Sequence, residues 1–155
     1  MNKSDNHLTE FFGRNILIEQ LLAAGLEVAV PVRDKVVDLI AYRDDGPALT
    51  AFPIQLKAAT ETGFLLDRKY AAPSGLILVY VWHAAKPARA VVFALTYRQA
   101  LGVCEEMGYT QTESWARGNY AVTSPGERLR GLLERYRMTP EAWRRKLSPL
   151  GGAAA

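Results

Sequence analysis

The chain has 155 residues, one cysteine and a formal net charge of +3. That length suits a single domain with a sizeable core. The lone Cys104 excludes an internal disulfide and a cysteine-cluster zinc site, and 49% hydrophobic with 23% charged residues is a globular composition, not a disordered one.

The charge is uneven. Residues 1–75 carry 8 Lys/Arg against 10 Asp/Glu, a balance of −2, and residues 76–155 carry 11 against 6, or +5. A basic C-terminal half suits a nucleic-acid partner, or is simply a solvated basic surface. The first ten residues, MNKSDNHLTE, lack the apolar core of a signal peptide, and no apolar run has the length of a membrane span. A cytoplasmic protein with no membrane partner is the expectation. No Walker-type loop, Gly-rich dinucleotide fingerprint or G-x-S-x-G nucleophile motif occurs, so no nucleotide cofactor is expected.

In chain order, residues 1–8 read as a polar tail. Thr9 to Ala24 reads as a helix stopped by Gly25. Glu19 shares a helical stripe there with Phe12, Asn15 and Leu22, an unusual place for a carboxylate unless it is paired or bound to a cation. Glu27 to Val32 reads as a strand, followed by a charged turn. Two apolar runs then flank RDDGP, starting at Val36 and ending at Lys57, in the pattern of a hairpin. Side chains alternate faces along a strand, so Gln55 and Lys57 share a face opposite Ile54 and Leu56. Hairpin pairing brings Asp38, at the start of one strand, near Gln55 and Lys57 at the end of the other. Both Asp38 and Lys57 are expected at strand ends outside the core. Pro53 cannot donate to a ladder, so its strand should be edge-like at that point.

A carboxylate, an amide carbonyl and an ammonium at one end of a sheet are the set that metal-dependent phosphodiester cleavage needs. Asp38, followed after a spacer by Gln55-Leu56-Lys57, resembles the active-site signature of the PD-(D/E)XK nuclease superfamily. That superfamily includes restriction enzymes, archaeal Holliday-junction resolvases and homing endonucleases. The resemblance covers roughly residues 9 to 95, with Gln in place of the third-strand acid. It implies an α/β fold: a restriction-endonuclease-like αβββαβ core around a mixed sheet, with C-terminal helices added. It further implies an Mg²⁺-dependent DNA nuclease in which Mn²⁺ can substitute. Asp38, Gln55 and the Leu56 backbone carbonyl would hold the metal. Lys57 would orient the attacking water, and a helix acid would assist. Glu19 is the first choice for that acid, with Glu10 and Asn15 as rivals. A relative that keeps the fold as a DNA-binding or protein-interaction module without catalysis is the alternative. A homodimer is one expected assembly, because cutting both strands with one site per chain needs two subunits.

Beyond Lys57, only a short helical turn around Leu66 to Tyr70 is expected where the superfamily has a helix. Arg68 and Lys69 beside Tyr70 are candidate phosphate contacts. Leu76 to Trp82 reads as a strand buried on both faces, and Ala90 to Leu95 as its antiparallel neighbour. Thr96 with Gln99, and Ser124 with Glu127, read as capping boxes opening two helices, and Thr139-Pro140 opens a last one. Cys104 falls on an apolar stripe as a small core residue. Arg144, Arg145 and Lys146 are further candidates for nucleic-acid contact. Residues 1–150 are expected to form one domain, and 151–155 a disordered tail.

Overall fold

The computed structural model describes residues 3–33 and 35–148; the expected tail at 151–155 lies outside them. The first helix, α1, spans Lys3–Ala23 and so begins within the segment read as a tail. Thr9 does not cap it. Its hydroxyl donates back to the Asp5 carbonyl at 2.9 Å, and Asp5 sits in the first turn, where a carboxylate favours the helix dipole. The C-terminus is closed at Gly25, with φ 83°. Leu26 N–H donates to Leu21 O at 3.0 Å and Gly25 N–H to Leu22 O at 2.9 Å, the paired bonds of a Schellman motif.

Strand β1 (Glu27–Ala29) is shorter than expected, since Pro31 follows it closely and cannot donate to a ladder. Strands β2 (Leu39–Asp44) and β3 (Leu49–Ala58) form the anticipated hairpin. Where the superfamily has a helix, a strand, β4 (Phe64–Asp67), and a 3₁₀ turn (Arg68–Ala71) follow: the turn is the short helical turn expected around Leu66 to Tyr70, and the strand before it was not expected. Strands β5 (Ile77–Trp82) and β6 (Val91–Thr96) follow. Helix α2 (Tyr97–Glu106) opens on the expected capping box, with Thr96 and Gln99 each satisfying the other's backbone N–H. A short α3 (Glu113–Ala116), strand β7 (Asn119–Val122), α4 (Glu127–Glu134) and α5 (Pro140–Lys146) complete the order. The Ser124 capping box does not form. Gly126 holds the N-cap position of α4 without a side-chain bond, so the helix starts two residues later than read.

The main sheet has the order β1-β2-β3-β5-β6 and is antiparallel except between β3 and β5. Pairing of β3 with β5 begins at Ile54, so Pro53 faces only β2, as an edge residue must. Alternation splits the core in two. One face presents Leu39, Ile54, Leu56 and Val79 to α1 and to Trp143 of α5. The other presents Leu78, Tyr80, Phe93 and Leu95 to β4, α2 and α4. The β3-to-β5 crossover therefore lies on the second face, where β4 pairs antiparallel with β7 in a separate two-stranded sheet. The outer edge of β6 is covered by the α4–α5 connection: Ala94 N–H donates to Tyr136 O, and Met138 N–H to Val92 O. An edge so paired offers no template for aggregation.

Helix α5 is docked by its own chemistry. Thr139 caps it, and Trp143, fully buried, donates Nε1–H to Gln20 Oε1 at 3.0 Å. Arg144 Nη2 donates to the Ala23 carbonyl at 2.9 Å, satisfying an orphan acceptor at the C-terminus of α1. Arg144→Ala should therefore lower stability by about 0.5–1.5 kcal/mol, the net value of one such bond. A thermal melt beside wild type reads this, and an unchanged Tm would deny the cap.

Candidate active site

Asp38 ends the approach to β2, and its N–H donates to Ile54 O at 2.8 Å. That bond sets it opposite Gln55. Because β3 is flanked there by both β2 and β5, the pair is nearly enclosed: Asp38 is 8% exposed and Gln55 5%. Among the described residues these are the buried polar side chains. Gln55 Nε2 donates to Asp38 Oδ2 at 2.5 Å, and Leu56 N–H donates to the same oxygen at 2.6 Å. Bonds of this kind to an ionised carboxylate are charge-assisted. Gln55 Nε2 also reaches the Leu56 carbonyl at 3.3 Å. With its nitrogen turned to two acceptors, the amide turns Oε1 the other way; the reverse orientation would set oxygen against oxygen. The expectation that Asp38 lies outside the core is thus corrected: it is a buried, bonded residue.

The glutamine has a physical rationale. A glutamate at 55 would put two carboxylates side by side in a low-dielectric site, which holds only if one is protonated or a cation intervenes. Gln55 neutralises that conflict with a donor and keeps one oxygen available.

Lys57 lies on the same sheet face, two residues on, in register with Tyr80. Its Nζ is 5.6 Å from the centroid of the Tyr70 ring, and Lys69 Nζ is 5.3 Å from the same ring. Tyr70 is buried on the 3₁₀ turn, which Asp67 caps by accepting from Lys69 N–H at 2.9 Å. The turn thus brings Lys69 beside Lys57. Arg68 is exposed next to it.

A cleft of about 640 Å³ opens at this end of β3, with Glu10, Lys57, Glu61, Phe64, Tyr80 and Val122 in its lining. Asp38 and Gln55 are not among its wall residues; they sit behind Lys57. The wall is braced from β5: Tyr80 Oη donates to Leu65 O at 2.7 Å, and Trp82 Nε1 to Gly63 O at 2.6 Å. His83, at φ 55°, ties its N–H to Glu61 O and places Nδ1 3.2 Å from Glu61 Oε2. It braces the wall, as a structural histidine.

Glu19 is not at this cleft. The stripe it shares with Phe12 and Leu22 faces solvent, and Leu22 is 51% exposed. The buried stripe runs through Gly13, Leu17, Leu21 and Ala24. Glu10 occupies the cleft instead, nine residues and about 13 Å of helix away. Its Oε1 accepts from Arg14 Nη2 at 3.2 Å. A cue for this was Gly13: a Cβ there would lie 2.5 Å from Ala58 Cβ, so α1 crosses β3 at Gly13, next to Lys57.

Arg144, Arg145 and Lys146 stand on α5, on the sheet face opposite Asp38. Arg144 caps α1, and burial lowers the pKa of the Lys146 ammonium from its ordinary value. Arg145 is exposed. Burial pushes the Cys104 thiol up to about 12, so it is the inert core residue expected.

No protein-family model matches the sequence, and no curated protein matches it either. Among solved structures, the bacterial homing endonuclease I-Ssp6803I superposes with a TM-score of 0.50 over 95% of this chain and 94% of that one, at 16% identity. The fold is nuclease-like. Such a likeness carries architecture and not chemistry, so the function must be argued from the residues in the site. No helix among the described residues is long and apolar enough to cross a membrane.

Proposed function

We propose that this nuclease-like chain is a PD-(D/E)XK-type enzyme that hydrolyses phosphodiester bonds in DNA with Mg²⁺, or Mn²⁺ in its place. The observation that carries the reading is the bonded, buried cluster of Asp38, Gln55 and Leu56, with Lys57 on the sheet face of Gln55 and in the wall of a cleft. The donor set suits a hard cation: a carboxylate, a side-chain amide and a backbone carbonyl lie together at a strand end, with Gln55 Nε2 now bonded to the other two, so holding a metal would require the amide to turn its Oε1 toward them. Asp38, Gln55 and the Leu56 carbonyl would hold the metal, which when bound supplies Lewis-acid polarisation of a phosphate oxygen. Lys57 orients the attacking water and offsets charge developing on the phosphate. Glu10 accepts a hydrogen bond from that water across the cleft. Lys69 and Arg68 contact the adjoining backbone. Cutting both strands of a duplex calls for two such centres, which a homodimer would supply.

The test is plasmid nicking in Mg²⁺, Mn²⁺ and EDTA. Glu10→Gln should slow nicking by about 10²-fold, the low end of the range for a group that assists proton transfer, while Glu19→Gln should match wild type. The reverse ranking would return the role to Glu19. One observation favours a second reading, a DNA-binding relative without catalysis. Among the described residues no three of His, Cys, Asp or Glu come together, so the centre is lean in charge. Metal-independent DNA binding without nicking would select that reading.

A further inference from the structure

A groove of about 350 Å³ runs between α2 and α4, away from the cleft, with Arg98, Arg135, Gln99 and Tyr136 in its lining. Glu106 borders it as well, and the Glu106 backbone carbonyl accepts from Arg128 Nη2 at 2.9 Å, which brings a third guanidinium to the rim. Among the described residues neither Arg98 nor Arg135 has an ion-pair partner. The tip of α4 is held otherwise: Glu134 is taken by Arg137 at 2.6 Å. Two guanidiniums flanking a groove present forked donors of the kind that fit phosphate oxygens.

The groove is not isolated from the candidate active site. Lys57 and Lys69 share the Tyr70 ring, and Arg68 follows on the same 3₁₀ turn. The 3₁₀ turn that carries Arg68 packs against α2, whose first turn begins at Tyr97. Arg98 is the next residue of that turn. Cations thus continue from Lys57 through Lys69 and Arg68 to Arg98 and Arg135, all on the sheet face that carries Asp38 and Gln55. The C-terminal basic run on α5 lies on the opposite face.

We propose that the α2–α4 groove is a second phosphate site, in which Arg98 and Arg135 clasp a backbone phosphate of the same DNA at a distance from the scissile one. This rests on the nuclease reading above and gives it a direction: the DNA backbone runs across the 3₁₀ turn toward α2 and α4.

The test is fluorescence anisotropy of a labelled DNA duplex with the full chain in EDTA, over about 50 to 200 mM salt. Each phosphate contact contributes about 0.9 to the slope of log affinity against log salt. Arg98→Gln with Arg135→Gln should therefore flatten the slope by about 0.9, the share of one phosphate, and weaken binding several-fold, and Arg98→Lys with Arg135→Lys should restore the slope. Both positions are exposed, so folding is not at stake, and Arg117→Gln, just past the end of α3, serves as an exposed control. A wild-type slope in the Gln pair overturns the groove and leaves the nuclease reading standing on the nicking result. Wild-type protein that neither binds nor nicks DNA overturns both.

Discussion

Lys57→Ala should abolish nicking, with a loss of about 10²–10⁴ in rate, while the chain stays folded. The side chain is half-buried and its ammonium faces Tyr70, so the structural cost is one cation–π contact, about 0.5–1 kcal/mol. Lys57→Arg should not rescue it, because a guanidinium stays charged and is broader and flatter than the ammonium it replaces. Asp38→Ala differs. It strips the shared acceptor from Gln55 Nε2 and Leu56 N–H inside an enclosed site, which costs about 1–3 kcal/mol for a stranded buried donor. A domain of this size loses about 2–4 °C of Tm per kcal/mol. Initial nicking rates and thermal melts of the two variants separate a catalytic lysine from an aspartate that is both ligand and structural anchor. Wild-type nicking by Lys57→Ala would sink the proposed centre.

Gly13→Ala should destabilise, against the usual sign. In an open helix the change gains roughly 0.8–1 kcal/mol of propensity. Gly131, in α4, has nothing within 4 Å of a built Cβ, and Gly131→Ala there should stabilise. At Gly13 the new carbon would stand 2.5 Å from Ala58 Cβ, well inside the roughly 3.5–4 Å at which carbons rest. Both atoms are tied to the backbone of regular elements, so α1 must lift from β3, at about 1–3 kcal/mol. Glu10, one turn earlier, moves with it, so nicking should fall too. Gly13→Ala with Ala58→Gly should recover much of both losses, a coupling that independent sites would not show. Melts of the four variants in that cycle decide it; additive losses would mean that the two residues do not meet.

The features that were legible in the sequence are local ones. The box at Thr96–Gln99 and the cap at Thr139 satisfy orphan helix N–H groups within one turn, so their signal lies within four residues. The Asp38–Gln55 register followed from a short hairpin and strict alternation, which is why the carboxylate, amide and ammonium were placed on one face correctly. Pro53 announced the point at which β3 has only one neighbour. Ser124 misled because its box competes with a start at Gly126.

Other features depend on partners far away in the chain. Nothing near Phe64–Asp67 says that it pairs with Asn119–Val122, so that strand has no signal in the sequence, although the helical turn after it does. The helix acid is the sharpest case. Helix α1 has two apolar stripes, one through Phe12 and Leu22 and one through Leu17 and Leu21, and periodicity alone cannot rank them. The sequence by itself determined the alternation, the caps and the grouping of Asp38, Gln55 and Lys57, because those rest on spacing within short hairpins and single turns. Only the tertiary structure decided which face of α1 lies on β3, and hence that Glu10 and not Glu19 reaches the cleft, because that choice turns on the close contact of Gly13 with Ala58 across the sheet.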